Sequence, residues 1–378
     1  MIASMAHHGS GPLAGIRVVE LAGLGPAPHA SMMLADLGAD VVRIERPGGR
    51  ELDLDGGGVN TRHRRIVEAD LKDPIDREQV MSLVAVADVL VEGLRPGVTE
   101  RLGIGPDDCN AVNPRLVYGR ITGWGQDGPM AGDVGHDINY VGLTGALHAM
   151  GYEDRPPAPP LNLVGDFGGG SMLLLVGILS ALVERERSGL GQVIDAAMVD
   201  GTALLTQLVL AMRPSGAWTD DRHANLLDGG APFYSTYACS DGRFVAVGAL
   251  ESRFFADLAS GLGLDPDTER TRWDRSTWPG LRADLSGRFG TQSRDEWVAH
   301  FAATEACVTP VLTFDEAAEH PHLVARATFT TVEGALQAAP APRFSRTPGR
   351  DPADSRTASV DLATILADWI GGANEAGT

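Results

Sequence analysis

The chain has 378 residues, of which 43% are hydrophobic and 21% are charged, and its formal net charge at pH 7 is −19. These proportions are those of ordinary globular proteins, and they exclude collagen-like, coiled-coil and wholly disordered chains. The length exceeds the needs of one hydrophobic core and suits two domains. The strong negative charge argues against binding to nucleic acid or to anionic membranes.

The few cysteine and lysine residues limit the kinds of disulfide, metal and cofactor site that the chain could form. Cys109, Cys239 and Cys307 are widely spaced, which fits a reducing compartment and neither a disulfide framework nor a zinc site. Lys72 is the single lysine, and it is therefore the one candidate for a pyridoxal phosphate Schiff base. The N-terminus has no signal-peptide pattern, and the uncharged stretch 167–183 is short for a bilayer. We therefore expect a cytoplasmic protein that does not associate with membranes.

Strand and helix patterns alternate through the first third of the chain. Alternation of this kind predicts a parallel sheet with helices on both faces. The predicted elements are strands at 16–22, 41–45, 65–71, 88–92 and 116–122, a helix at 28–37 that ends at Gly38, and a helix that opens at Asp73 and Pro74.

The pattern changes after residue 122 and predicts a second region of different character. Loops rich in Gly and Pro come first, and a hairpin at 233–248 then opens a segment of short helices. The remaining predicted elements are a long helix at about 170–187, a strand at 192–197, a helix that ends near Met212, a linker without periodicity at 338–356, and a last helix at 360–370 with Ser359 as its N-cap.

These patterns predict an α/β fold with one large parallel-sheet domain and one smaller α+β domain. The expected boundaries are 1–199 for the large domain with a C-terminal return at 340–378, a linker helix at 200–227, the small domain at 228–325, and a return linker at 326–339.

The glycine pair Gly23 and Gly25 has some marks of a dinucleotide-binding turn. It follows a strand, precedes a helix, and lies about twenty residues before Glu45. However, Pro28 stands where the third glycine is needed, and Pro26 also intrudes. Each proline removes an N–H group that would otherwise point at a pyrophosphate. The sequence therefore disfavours a nicotinamide cofactor.

Two segments combine an ionisable residue with flanking glycines just before an apolar helical pattern: GHDINY at 135–140 and NLVGDFGGGS at 162–171. His136 and Asp166 would then lie near helix N-termini and could face one cleft, with the N–H of Asp137 as an oxyanion donor. Spacing alone leaves open the alternative that both residues only cap helices. His320 and His322 are more typical of an ordinary loop than of a metal site.

The quoted motifs, together with the opening GPLAGIRVVELAGLGPAPHASMMLADLGADVVRIERPG, resemble the family III CoA transferase superfamily. Within it the chain is most similar to the α-methylacyl-CoA racemases. Further motifs occur in the same order, and the resemblance covers about residues 11–347; they include RRIVEADLK, LRPGVTERLG, ITGWGQDGP, AAMVDG, LDGGAPFYSTYACSDGRFVAVGALE, CVTPVL and PAPRFSRT.

The resemblance implies racemisation of 2-methylacyl-CoA thioesters without any cofactor, since coenzyme A is part of the substrate. It assigns proton transfer to His136 and Asp166, and support of the histidine to Glu251. It also implies a Rossmann-like large domain and an interlocked homodimer, with the active site between the large domain of one chain and the small domain of the other. The implied CoA-binding positions are Arg46, Ala69, Asp70, Leu71, Lys72, Gly93, Leu94, Arg95, Arg101, Gly135, Ile138, Asn139 and Tyr140.

This chemistry sets physical requirements on the site. Stereoinversion next to a thioester needs one basic and one acidic group on opposite faces of a planar enolate. Asp166 can return a proton near neutral pH only if its pKa is raised, which burial against the apolar stretch after it would favour. Between residues 43 and 65, six basic residues meet only four acidic ones, which predicts a positive patch for the CoA phosphates unless these arginines belong to an ordinary solvated loop.

Two alternatives remain open at this point. A CoA transferase would use Asp166 as an acyl nucleophile and would need no second proton donor. A catalytically silent CoA-binding protein would be expected to lack one of the two groups, and both are present. Ser235 and Ser252 depart from the racemase pattern, which leaves the preferred acyl chain open more than the proton chemistry.

Overall fold

A computed structural model describes residues 10–48, 59–355 and 357–371. Its strands are short and run from the N-terminal third to the C-terminus. They are β1 (Arg17–Leu21), β2 (Asp40–Glu45), β3 (Arg64–Glu68), β4 (Val89–Glu92), β5 (Val117–Thr122), β6 (Val193–Ala197), β7 (Tyr234–Ala238), β8 (Phe244–Gly248), β9 (Val308–Val311), β10 (Phe329–Val332), β11 (Ala335–Ala338) and β12 (Ala358–Ser359).

Helices connect most of these strands. They are α1 (Pro26–Asp36), α2 (Pro74–Val84), α3 (Val98–Arg101), α4 (Pro106–Val112), α5 (Asp137–Leu143), α6 (Met172–Ser188), α7 (Met198–Leu205), α8 (Gln207–Met212), α9 (Ser252–Leu262), α10 (Thr268–Thr271), α11 (Trp278–Phe289), α12 (Arg294–Phe301), α13 (Phe314–Glu319), α14 (Pro321–Ala325) and α15 (Leu362–Gly371). A π-helix (Leu163–Ser171) leads directly into α6, and short 3₁₀ turns lie at Val59–Thr61, Leu147–Ala149, Arg275–Thr277 and Pro352–Asp354.

The chain divides into two compact units. The first contains the chain up to Thr144, Leu161–Leu205 and the part from Ala327 onward, and the second contains Gly145–Pro160 and Thr206–Arg326. The second unit therefore begins earlier than the expected boundary at 228. Segment 145–160 belongs to it because the Arg222 guanidinium donates to main-chain carbonyls of that segment. Such contacts between distant residues leave no pattern in the sequence.

The first unit is built on a seven-stranded sheet in the order β12-β3-β2-β1-β4-β5-β6. All neighbouring strands are parallel, which confirms the predicted parallel sheet. Alternate side chains of each central strand enter two separate cores, so these strands are apolar on both faces. Val19 and Leu90 pack with α2 and α15 on one face, whereas Val18 and Val89 pack with α1 and α6 on the other.

The C-terminal helix begins later than the sequence predicts. The main-chain N–H of Thr364 donates to the Asp361 carboxylate across 2.9 Å, so Asp361 caps α15. The predicted cap, Ser359, instead lies in β12 and pairs with Ile66 of β3. Both residues are good N-cap types, and the additional parallel strand decides between them.

The long apolar helix predicted at 170–187 begins seven residues earlier, as the π-helix. Together, Leu163–Ser188 span 26 residues, and length and composition alone would allow this helix to cross a bilayer. This is weak evidence for a membrane span, because core helices of soluble proteins share the pattern. The inner face of α6 is buried against the sheet through Leu174 and Ile178.

The second unit has its own sheet and core. Strands β7, β8 and β9 form an antiparallel sheet, and its first two strands are the predicted hairpin. Helices α9, α11 and α12 cover one face of it with Phe255, Leu285 and Trp297, which are buried together with Phe233.

Candidate active site

The main cavity of the first unit lies at the carboxyl ends of its parallel strands. It has a volume of about 750 Å³ and is lined by residues that follow β1, β4, β5 and β6. Strands β1 and β4 are neighbours in the sheet although they are not consecutive in the chain. The strand order reverses at this point, and such a switch point is where open α/β sheets bind their ligands.

The sequence-predicted pair His136 and Asp166 lies together in this cavity. His136 is the N-cap residue of α5, and its main-chain N–H donates to the Asn139 side chain across 3.0 Å. Its imidazole is exposed and lines the cavity wall. The main chain is thus held by the helix start, while the ring is free to meet a ligand.

Asp166 lies in the first turn of the π-helix and is half-buried. Burial raises the pKa of its carboxyl above the ordinary range, and the nearby charge of Asp137 raises it further. A hydrogen bond from Asn162, the second-largest effect after burial, lowers the pKa, and the charge of His136 lowers it as well. The result matches the predicted requirement: the carboxyl holds its proton at a higher pH than an exposed aspartate does.

Close backbone packing fixes the π-helix that carries Asp166. A Cβ atom on Gly201 of α7 would lie only 1.8 Å from the carbonyl oxygen of Gly169, so the two backbones touch at these glycines. On the other side, the His29 ring stacks on Phe167 with centroids 4.3 Å apart, and its Nδ1 lies 2.8 Å from the Ser171 hydroxyl. π-Helical segments of this kind recur at functional sites.

Tyr140 of α5 supports the histidine side of the cavity. Its hydroxyl donates to the carbonyl of Gly135, the residue before His136, and its ring packs edge-on against Trp124. Burial raises the pKa of Tyr140, and the charge of Asp166 adds to the effect. The phenol therefore remains a neutral donor.

A second cavity of about 520 Å³ lies beside the first, and Leu24 and Leu94 line both. Its walls are apolar, formed by Ile44, Leu71 and other side chains. Arg46 and the segment 69–72 line it as well, so this cavity collects most of the predicted CoA-binding positions of the N-terminal region.

The predicted positive patch between residues 43 and 65 is largely wrong. Arg43 and Arg64 are fully buried and both pair with Glu20, which is buried as well. Two more pair with acidic residues distant in sequence: Arg62 with Asp36, and Arg65 with Asp40 and Asp368. Local charge counting missed these partners. Arg46 is exposed at the second cavity, and Arg50 lies outside the described residues.

The other predicted positions fall into two groups. Gly93, Leu94, Arg95, Gly135, Asn139 and Tyr140 line the main cavity. Asp137 and Ile138 follow His136 but are absent from the cavity walls, and Arg101 is exposed on α3 and lines neither cavity. Glu251 is the exposed N-cap residue of α9 in the second unit.

Within the described ranges, no group of three or more His, Cys, Asp or Glu side chains could hold a metal ion.

Asn162 also lies in the cavity wall, and the sequence analysis did not single it out as a candidate. Its side-chain amide donates to the Asp166 carboxylate across 3.3 Å. A polar residue four positions before a candidate catalytic acid was the available signal, because residues at this spacing meet on one helix face. Leu24, Gly25 and Met198 also line the cavity, and their apolar or small character gave no such signal.

Comparison of the chain with known protein families identifies the family to which it belongs. The model of CoA-transferase family III matches residues 13–356. The chain belongs to this family.

Named relatives of the CoA-transferase family III cover nearly the whole chain. The α-methylacyl-CoA racemase of Mus musculus is 45% identical over 93% of this chain and 91% of its own length. The α-methylacyl-CoA racemase of Homo sapiens is 44% identical over 90% of each chain. The crystal structure of a CAIB/BAIF family protein from Brucella suis has 28% identity and a TM-score of 0.80, and the match covers 95% of this chain and 100% of that one.

Proposed function

We propose that this protein is an α-methylacyl-CoA racemase, which inverts the α-carbon of 2-methylacyl-CoA thioesters. The observation that carries the proposal is the position of His136 and Asp166 on the wall of one cavity at the switch point of the sheet. Two relatives that bear this name match about nine-tenths of the chain. The raised pKa of Asp166 adds support, because a carboxyl that holds its proton can act as an acid.

The proposed reaction moves one proton off the α-carbon and another onto its opposite face. One group of the pair removes the α-proton, and the electrons of the C–H bond form an enolate whose charge lies on the thioester oxygen. The other group then protonates the opposite face. The N–H of Asp137, at the first turn of α5, is proposed to donate to the enolate oxygen. The reverse reaction exchanges the two roles, and the scheme needs no cofactor.

Coenzyme A is proposed to occupy the second cavity. Its apolar walls suit the adenine ring, and Arg46 at the rim suits a phosphate. The pantetheine arm would pass Leu24 and Leu94, which both cavities share, and deliver the thioester to His136 and Asp166.

The homodimer with interlocked chains remains part of the proposal, with Glu251 of a second copy reaching His136. Apolar side chains on the outer side of the first unit support an assembly of this kind. Val176 and Val183 of α6 and Leu204 of α7 are each more than half exposed, at 57%, 60% and 59%. Such a face is costly to leave in water. We expect a dimer in light scattering, and we expect the protein to be cytoplasmic.

The deciding experiment follows the α-proton of 2-methylacyl-CoA substrates in D₂O by NMR, with no second carboxylic acid present. The proposal predicts deuterium incorporation together with inversion. His136→Ala and Asp166→Ala should each lower the racemisation rate by orders of magnitude and leave the fold intact. CoA transfer to a free carboxylate without any α-exchange would instead establish the transferase alternative, in which Asp166 is a nucleophile.

A further inference from the structure

The carboxylate of Asp137 forms a direct link between the two sides of the active site. Asp137 follows His136 at the start of α5, and its Oδ1 accepts a hydrogen bond from the main-chain N–H of Asp166 across 2.8 Å. A single side chain thus ties the helix that carries the imidazole to the π-helix that carries the carboxyl.

The fit around this bond is tight. A Cβ atom on Gly165, the residue before Asp166, would lie 2.5 Å from Asp137 Oδ1 and 3.0 Å from a methyl group of Val141. Glycine is therefore required at position 165 for the two helices to approach so closely. Asp137 itself is half-buried, which strengthens its electrostatic effect on neighbouring groups.

We propose that the Asp137 carboxylate is a positioning residue that sets the separation of the two proton-transfer groups and holds a negative charge beside the main chain of Asp166. This inference rests on the proposed racemisation and adds a role that is distinct from the N–H of the same residue. The side chain acts on the backbone and charge of Asp166, while the N–H serves the enolate oxygen.

The groups that face Asp166 come from several elements. His136 and Asp137 act from the start of α5, and Asn162 acts from the residue before the π-helix. Tyr140 is also on α5, and its pKa is raised by the charge of Asp166 and lowered by that of Arg95, which lies in the loop after β4. Of these groups, Asp137 combines a negative charge with a hydrogen bond to the main chain of Asp166.

Two substitutions separate position from charge. Asp137→Asn keeps a side-chain oxygen that can accept from the Asp166 N–H but removes the negative charge. Asp137→Ala removes both. In α-proton exchange, we expect Asp137→Asn to lower the plateau rate less than Asp137→Ala does and to move the Asp166 limb of the pH profile to lower pH. We expect Asp137→Ala to lower the plateau rate about 10- to 100-fold with little change in KM, because it misplaces the carboxyl.

The measurement is α-proton exchange in D₂O from each enantiomer of a 2-methylacyl-CoA across a range of pH. Asp127→Asn is the matched control, since Asp127 is exposed, lines neither cavity and loses the same charge. An Asp137→Asn profile that superimposes on wild type, or full plateau activity in Asp137→Ala, would overturn the inference. Absence of exchange in the wild-type enzyme would overturn the proposed function instead, so the two failures are distinguishable.

Discussion

The side-chain amide of Asn162 donates a hydrogen bond to the carboxylate of Asp166, four residues later in the chain, across 3.3 Å. This bond favours the ionised form of Asp166, whereas burial and the charge of Asp137 favour the protonated form. The proton affinity of the candidate acid is therefore a balance of opposed contacts, and each contact can be removed separately.

Removal of the Asn162 amide should raise the pKa of Asp166. In Asn162→Ala the ionised carboxylate loses a donor, so the pKa of Asp166 should rise and its limb of the pH–rate profile should move to higher pH. This direction is opposite to that expected for Asp137→Asn. The measurement is α-proton exchange against pH, with Asn110→Ala, at an exposed site on α4, as control. A shift of the Asn162→Ala limb to lower pH would contradict the assignment of these contacts.

Replacement of Asp166 by asparagine should separate activity from stability. The pKa of Asp166 is higher in the folded state than in the unfolded state. Between these two pKa values, the folded state therefore loses stability as the pH rises and the carboxyl ionises. Asp166→Asn cannot ionise. We expect α-exchange to fall by at least about 100-fold, while stability at pH 7 equals or exceeds that of wild type. Urea unfolding at pH 7 measures the second effect, and a marked loss of stability would show that the carboxylate is structurally required.

The contact between the π-helix and α7 gives a third prediction. In Gly201→Ala the added methyl group collides with the carbonyl of Gly169, so the π-helix must move and carry Asp166 with it. Overpacking of this kind costs about 1–3 kcal/mol. We expect a lower melting temperature and slower α-exchange. Gly287→Ala in α11 is the control, because a Cβ atom there meets nothing within 4 Å, and alanine favours a helix. Equal behaviour of the two variants would rule out the constraint.

Local sequence patterns predicted the elements of the first unit well. The strands of its sheet are apolar on both faces, and Gly38 with a φ of +105° follows the end of α1 as expected. The placement of His136 and Asp166 before apolar helical segments also predicted their shared cavity. The helices and strands themselves follow from contacts between neighbours in sequence, which periodicity and turn residues record.

Features that depend on distant partners were not predictable in the same way. Arg43 and Arg64 resemble surface arginines in the sequence, but in the structure both are buried and form ion pairs with Glu20 of β1. The π-helix can pack closely against α7 because the residues at 169 and 201 lack side chains, and a pattern within either segment does not show this contact. Glu251 lies in the other unit, and its part in the reaction therefore stays a prediction.

Among the arginines that the structure describes between residues 43 and 65, Arg46 is the one that lines the second cavity, which makes it a candidate for phosphate binding there. It is exposed at the second cavity, whereas Arg43, three residues earlier in the chain, is buried and paired with Glu20 and Glu45. A charge-assisted hydrogen bond is worth about 1.5–3 kcal/mol, so Arg46→Ala should raise KM for the CoA thioester about 10- to 100-fold. The value of kcat should change little, because the residue is remote from the reacting carbon. The KM of the variant should also depend less on ionic strength.

Arg115→Ala is the control, since Arg115 is exposed and lines neither cavity. A fall in kcat with unchanged KM would contradict a role of Arg46 in phosphate binding.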